Sequence, residues 1–193
     1  MPKNISEETL KGALRIYEAL KKLISKYSLS GLTIRCFDLL TSLHNTSCLA
    51  LALLNEQGII ATCEGDVPSM LTMAIVKEKF NCSSFQVNPS YVNLRDMYAF
   101  FAHCTLPFDM CESFSFDTHF ESGIGIGIKG KLDHGKVTVF KINRNLKDYE
   151  VFEGKIAENL SKPNLCRTQI KVLFNENIDE SSEEQEEVSC KRI

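Results

Sequence analysis

Two carboxylates beside a glycine form the segment of this chain whose residue types are best suited to binding a divalent cation. Glu64 and Asp66 flank Gly65 in the run CEGDVPSMLTMAI. Residues 58–62 before this run are predicted to form a short buried strand, and Pro68 is predicted to lie in the first turn of a helix. The carboxyl end of a strand beside a helix amino terminus is the usual ligand crevice of open α/β sheets. Acidic residues at that position can equally cap the free backbone amides of the helix, and the sequence leaves both interpretations open.

Further carboxylates and imidazoles occur in separate segments of the chain. Asp38 directly follows a first predicted strand, so two adjacent parallel strands would bring it to the same sheet edge as Asp66. A helix cap is the alternative role for Asp38. His103, and His119 with Glu121, each end an apolar or aromatic segment, as residues at the mouth of a pocket would, although each histidine also fits an ordinary structural role. Together these groups suit an octahedral site for Mn²⁺ or Mg²⁺.

The elements that must position these groups change in type along the chain. Ser6 is predicted to cap an amphipathic helix that ends near Tyr27, and helices then alternate with strands up to about residue 80. Asp133 to Gly135 is predicted to be a hairpin turn, and the dinucleotide-like pattern GIGIKG at 125–130 is interpreted as glycines within a strand. After residue 84 short strands are predicted at 97–103, 123–132, 136–142, 149–156 and 166–174.

This pattern predicts an α+β fold. An amino-terminal α/β segment is expected to precede an antiparallel β-barrel, with a sandwich as the alternative. The predicted boundaries are 1–62 for the partial α/β segment, 63–174 for the barrel-containing domain and 175–193 for a disordered acidic tail.

Composition limits the classes of function. Of the 193 residues, 44% are apolar and the net charge is −3, so a real core is expected and neither nucleic acid nor an anionic membrane is favoured as a partner. Without a run of about 20 apolar residues or a signal peptide, a cytoplasmic location is the default prediction. The eight cysteines are predicted to be reduced and mostly buried, with four disulfides as the alternative.

Several motifs in order resemble a known family. CFDLL, CLALALLNEQGI, CEGDVPSMLTMAI, a His-Cys pair, THFESGIGIGIKGKL, GKVTVFKI and CRTQIKV are similar to the carboxyl-terminal half of the L-fucose isomerase and L-arabinose isomerase superfamily, over residues 30–174. The resemblance implies that the α/β segment is the end of a Rossmann-like domain. It also implies an aldose–ketose isomerase of carbohydrate metabolism, such as fucose metabolism, which acts on a sugar through a cis-enediolate with manganese or another divalent cation.

The resemblance also assigns roles to individual residues. Asp66 and Asp38 would bind the metal, Asp38 and Glu64 would take part in catalysis, and His103, His119 and Glu121 would contact the sugar. Family members are about twice this length and end in a histidine-containing segment, whereas no histidine follows His134 in this chain. The resemblance therefore implies a chain truncated at both ends. It also implies that a homo-oligomer or a separate amino-terminal isomerase chain completes the site.

A non-catalytic sugar- or metal-binding module derived from the isomerase fold is the alternative function. The missing terminal histidine favours this alternative. The presence of Glu64, Asp66 and His103 together favours the enzyme.

Overall fold

Helices dominate the first half of the structure and strands dominate the second. The structure is a computed structural model that describes residues 5–174. The helices are α1 (Glu7–Tyr27), α2 (Cys36–Ser42), α3 (Cys48–Glu56) and α4 (Val67–Phe80), with a short 3-10 helix at Phe108–Met110. The strands are β1 (Gly31–Thr33), β2 (Ile60–Thr62), β3 (Asn88–Asn93), β4 (Tyr98–His103), β5 (Ser113–Asp117), β6 (Gly127–Lys131), β7 (Gly135–Ile142), β8 (Tyr149–Asn159) and β9 (Thr168–Phe174).

Helix α1 follows its local sequence signals closely. The Ser6 side chain accepts a hydrogen bond from the Thr9 amide at 3.1 Å, and Ser28 ends the helix in the left-handed conformation. Ala13 and Ile16 are buried on the side of α1 that packs against the rest of the fold. The predicted cap and the predicted end at Tyr27 are confirmed. Within the described residues, no helix is long and apolar enough to cross a membrane.

The first sheet is a parallel pair of three-residue strands, β1 and β2, in which Thr33 lies opposite Thr62. The buried helix α3 supports this pair through Asn55, whose amide accepts from the Ala61 N–H at 3.0 Å and donates to the Ala61 carbonyl at 2.6 Å. The first predicted strand is shorter than expected. It ends at Thr33, and helix α2 begins at Cys36.

The second sheet has five antiparallel strands in the order β3-β4-β9-β8-β7. Its outer strands β3 and β7 each pair with one neighbour, so within residues 5–174 this sheet is open and the predicted closed barrel is not found. The mixed α+β content and the antiparallel sheet are confirmed. The predicted hairpin at Asp133–Gly135 is wrong, because β6 pairs with β5 while β7 pairs with β8.

Side-chain hydroxyls attach the β5-β6 hairpin to its neighbours. Thr168 in β9 accepts from the Gly130 N–H at 3.0 Å and donates to the Ile128 carbonyl at 2.8 Å. Thr46, which lies just before α3, donates to the Ile126 carbonyl and accepts from the Ile126 N–H, both at 2.9 Å. One hydrophobic core runs through these contacts and includes residues on both sides of the predicted boundary at 62/63, which stays a prediction. The predicted acidic tail lies outside the described residues.

Candidate functional site

An open cleft lies where the ends of five strands meet. Its volume is about 360 Å³ when the solvent at its open mouth is included. The antiparallel register explains the convergence, because His103 ends β4 opposite Thr168 at the start of β9, and Asn88 starts β3 beside Ala102. Residues that follow β1 and β2 complete the cleft. The lining residues are Cys36, Phe37, Leu40, Thr46, Cys48, Cys63, Glu64, His103, Cys104, His119 and Cys166.

Glu64 lies at the mouth of the cleft in an unusual backbone conformation. Its φ is +65°, a left-handed value that is uncommon for residues with a Cβ and that is concentrated at functional positions. The side chain is 36% exposed and accepts hydrogen bonds from Asn88 Nδ2 at 3.1 and 3.3 Å. Interaction with His103 is the largest influence on this carboxyl group. It holds the pKa of Glu64 below its usual value, although partial burial opposes the shift.

His103 is the buried partner of Glu64. Its side chain is 3% exposed, and its Nε2 lies 3.5 Å from Glu64 Oε1, which is too long for a good hydrogen bond. Nδ1 lies 3.0 Å from the Thr105 hydroxyl, whereas Nε2 has no hydrogen-bond partner among the described residues. When the Thr105 hydroxyl donates to Nδ1, the ring proton is on Nε2. A buried donor without a partner carries a desolvation cost, so Nε2 is well placed to donate to Glu64 or to a bound group.

His119 lines another part of the cleft. Its Nδ1 lies 3.1 Å from the Ser122 hydroxyl, and its ring meets the Phe37 ring edge-on with centroids 6.2 Å apart. Burial lowers the pKa of His119, the negative charge of Glu121 opposes this shift, and the positive charge of Arg167 adds to it. The net shift is downward, so the neutral imidazole is favoured near pH 7. Glu121 lies on the exposed surface and is not among the lining residues.

The two predicted metal ligands have other partners. Asp66 caps α4, where its two carboxylate oxygens accept from the Ser69 amide at 3.0 Å and the Ser69 hydroxyl at 2.7 Å. Asp38 is exposed and lies 3.2 Å from Arg35. Neither residue lines the cleft, and residues 5–174 contain no group of three or more histidine, cysteine or acidic side chains arranged to hold a metal ion. A metal role for Asp38 and Asp66 therefore stays a prediction.

Sequence reasoning missed the thiols of the cleft. Five of the lining residues are cysteines, and their side chains lie close enough to affect one another. Interaction with the Cys63 side chain is the largest influence on Cys36 and lowers the pKa of Cys36 to about 7, whereas this interaction and burial raise the pKa of Cys63. The local signals were that Cys63 directly follows the strand predicted at 58–62 and that Cys36 lies near the end of the strand predicted at 32–37.

The cleft thus combines an ionised carboxylate with two imidazoles, and one ring nitrogen has no hydrogen-bond partner in the described part of the chain. A carboxylate at the mouth of a cleft can accept a proton from a bound molecule and return it. Buried imidazole N–H groups can donate hydrogen bonds to hydroxyl or carbonyl oxygens. This arrangement is suited to proton transfer on a small polar molecule.

Comparison with known proteins places the chain near sugar isomerases. No protein-family model matches it. Over 163 residues the chain is 24% identical to a sulfoquinovose isomerase from Alkalicoccus urumqiensis, and the aligned region covers 80% of this chain and 37% of the relative. The chain therefore spans little more than a third of that relative's length. This similarity supports the general resemblance to sugar isomerases and does not single out the L-fucose or L-arabinose branch.

Proposed function

We propose that this chain is part of an aldose–ketose isomerase, an intramolecular oxidoreductase, with its reaction site in the cleft. The observation that carries the proposal is the position of His103 Nε2, which lies 3.5 Å from the Glu64 carboxylate and has no hydrogen-bond partner within residues 5–174. The similarity to a sulfoquinovose isomerase supports the same reaction class. An isomerase that moves a proton between neighbouring carbons needs one base that can also act as the acid, and a single carboxylate meets that need.

Glu64 is the proposed base. Because its pKa is lowered, the carboxylate is ionised at neutral pH and can accept a proton from the carbon next to a sugar carbonyl. The same carboxyl group returns the proton to the adjacent carbon, while a second proton moves between the two sugar oxygens, so the enediol becomes the isomeric sugar. A bound sugar displaces water from Glu64, and this desolvation increases the basicity of the carboxylate.

The histidines are proposed to bind the sugar. His103, with Thr105 holding its Nδ1, can donate from Nε2 to a sugar oxygen on which negative charge develops. His119 is favoured in its neutral form and can donate or accept at a sugar hydroxyl. Glu121 is assigned to the sugar only through the family resemblance, because it lies outside the lining of the cleft.

We also propose that Asp66 and Asp38 bind manganese or another divalent cation such as Mg²⁺. A divalent cation, when bound, stabilises the oxyanion that develops as the proton leaves carbon. The present partners of the two residues do not fit such a site, because Asp66 is engaged with Ser69 and Asp38 with Arg35. Each carboxylate would have to exchange a hydrogen bond or ion pair for the cation.

The sugar and the partners are proposed from similarity. L-Fucose and L-arabinose follow from the family resemblance, and sulfoquinovose follows from the name of the relative. From the family resemblance we propose a homo-oligomer or a separate amino-terminal isomerase chain as the partner.

A non-catalytic sugar-binding module is the second candidate. The observation that favours it is the position of Asp38 and Asp66, which are occupied by an ion pair and a helix cap outside the cleft lining. Such a module would keep the cleft and its histidines without the metal-assisted reaction.

The test is a ketose-formation assay with these aldoses in the presence of Mn²⁺, together with calorimetric titration of each sugar. For the isomerase we expect Glu64→Gln to reduce kcat by about 10²–10⁴-fold, the usual contribution of general acid–base catalysis. Glu78→Gln is the matched control, because Glu78 is exposed on α4. Sugar binding without turnover in the wild type would favour the binding module. Equal turnover by wild type and Glu64→Gln would refute the role of Glu64.

A further inference from the structure

Two of the cleft thiols form a close pair. Cys36 and Cys63 both line the cleft, and the Cys63 side chain is the largest influence on the pKa of Cys36. Their exposure differs, because Cys63 is 3% exposed and belongs to the buried cluster around Leu51 and Leu54, whereas Cys36 is partly exposed at the edge of that cluster. A reagent in solution therefore reaches Cys36 first.

The backbone holds the two cysteines on neighbouring segments. Cys63 directly follows β2, and Cys36 comes shortly after β1, the strand that pairs with β2 in parallel. The two backbone segments stay hydrogen-bonded beyond the strands. The Ile34 N–H donates to the Thr62 carbonyl at 3.0 Å, and the Gly65 N–H donates to the Ile34 carbonyl at 2.9 Å. The Ile34 carbonyl also accepts from the Cys36 N–H at 3.0 Å, so the Cys36 and Gly65 amides share one acceptor. The segments that carry the two cysteines therefore lie against each other, as a disulfide with Cα atoms about 4.4–6.8 Å apart requires.

A second thiol pair in the cleft is less free to move. Cys104 and Cys166 also influence each other, but the Cys104 sulfur accepts from the Arg167 N–H at 3.3 Å. The same sulfur lies 3.3 Å from where a Cβ on Gly127 would be, so it is tightly packed. Cys36 begins α2, a helix of seven residues without a buried side chain, and this segment can adjust more easily than the packed end of β4.

We propose that Cys36 and Cys63 are a redox-active pair that forms a reversible disulfide in the cleft on reaction with a low-molecular-weight disulfide such as oxidised glutathione. This inference goes beyond the proposed isomerase function and does not depend on it. Only the effect of the disulfide on sugar turnover rests on that function.

The reaction proceeds in two exchange steps. The Cys36 sulfur, after losing its proton to water, attacks one sulfur of the glutathione disulfide and forms a mixed disulfide, and one glutathione leaves as a thiolate. The Cys63 sulfur then loses its proton and attacks the Cys36 sulfur, which breaks the mixed disulfide and releases the second glutathione. The two cysteines together lose two electrons and two protons, and the glutathione disulfide gains them.

The disulfide would act on the site through the chain. Cys63 is bonded to Glu64, and Cys36 is bonded to Phe37, which packs against the His119 ring. A covalent link between the two segments would fix both residues relative to each other and narrow the cleft between them. The expected result is a redox-dependent loss of sugar binding or turnover.

The experiment maps disulfides in the purified full chain after treatment with oxidised glutathione. Trypsin leaves Cys36, Cys48 and Cys63 on the single fragment 36–77, and cleavage after Glu56 then separates 36–56 from 57–64. We expect these two pieces to stay linked without reductant and to separate with dithiothreitol, and fragmentation of the linked species to place the bond on Cys36. In Cys63→Ser, the mixed glutathione disulfide should accumulate on Cys36.

Cys111→Ser is the matched control, because the Cys111 thiol lies outside the cleft and donates to the Pro107 carbonyl. This variant should form the same link as the wild type. Two findings would overturn the proposal: a link between Cys104 and Cys166 in place of Cys36 and Cys63, or full alkylation of Cys36 after oxidation. The disulfide map is read without any sugar, so a protein that forms the link but turns over no aldose contradicts the proposed isomerase and leaves the redox pair intact.

Discussion

Substitution of Asp66 separates its observed role as a helix cap from its proposed role as a metal ligand. In the structure one carboxylate oxygen accepts from the Ser69 amide and the other accepts from the Ser69 hydroxyl. Alanine removes both acceptors. Asparagine keeps one oxygen in the same place and is about as good a cap as aspartate, but it loses the negative charge.

The expected loss of stability comes mainly from the bond between the Ser69 amide and the Asp66 carboxylate. Loss of a side-chain cap costs about 1 kcal/mol of unfolding free energy, within a range of about 0.5–2 kcal/mol. The Ser69 hydroxyl is only partly buried and can turn to water, so its bond adds little. We therefore expect Asp66→Ala to lose about 1 kcal/mol, which corresponds to about 2–4 °C in Tm for a domain of this size. Asp66→Asn should lose a few tenths of a kcal/mol at most.

The assay is urea unfolding of the wild type and both variants, with calorimetric titration of each protein with Mn²⁺. A cap that is also a ligand predicts that both variants lose Mn²⁺ binding, while only Asp66→Ala loses stability. A cap without a metal role also predicts that only Asp66→Ala loses stability, but it predicts unchanged Mn²⁺ titrations in all three proteins. Equal destabilisation by alanine and asparagine would refute the capping argument, because the oxygen kept by asparagine would then contribute nothing.

Two further predictions concern the core contact of β6 and the protonation of the cleft. Thr168→Val keeps the shape of the side chain but removes the hydroxyl that bonds the Gly130 N–H and the Ile128 carbonyl. We expect urea unfolding to show a loss of about 1–3 kcal/mol in the free energy of unfolding. A loss near zero would contradict this role of Thr168. His119 has a pKa below its ordinary value of 6.5, so the unfolded chain binds a proton there more readily than the folded protein. The wild type should therefore lose stability relative to His119→Asn as the pH falls below about 6.5. Unfolding free energies that change equally for both proteins between about pH 7.5 and about pH 5.5 would refute this sign.

Local signals in the sequence predicted the elements that depend on near neighbours. The Ser6 cap and the helix to Tyr27 follow from residues within a few positions of each other. Strand β4 was predicted from its apolar run. Strand β3 was missed, because it is mostly exposed, contains Pro89 and has a bulge, and it exists only by pairing with β4. The hairpin at Asp133–Gly135 was predicted from a local turn pattern, but strand partners are chosen by packing across the whole sheet.

For the candidate site, the sequence by itself determined which chemical groups were available, and it placed Glu64 and Asp66 correctly where β2 meets α4. The cap formed by Asp66 is also local, because its acceptor oxygen meets the Ser69 amide only three residues away, and it is one of the two interpretations that the sequence left open. Only the tertiary structure decided the surroundings of Glu64. The contact of Glu64 with His103 joins the end of β2 to the end of β4, and it depends on how two separate sheets pack together. A contact of that kind follows from the positions of whole strands, which no local pattern specifies.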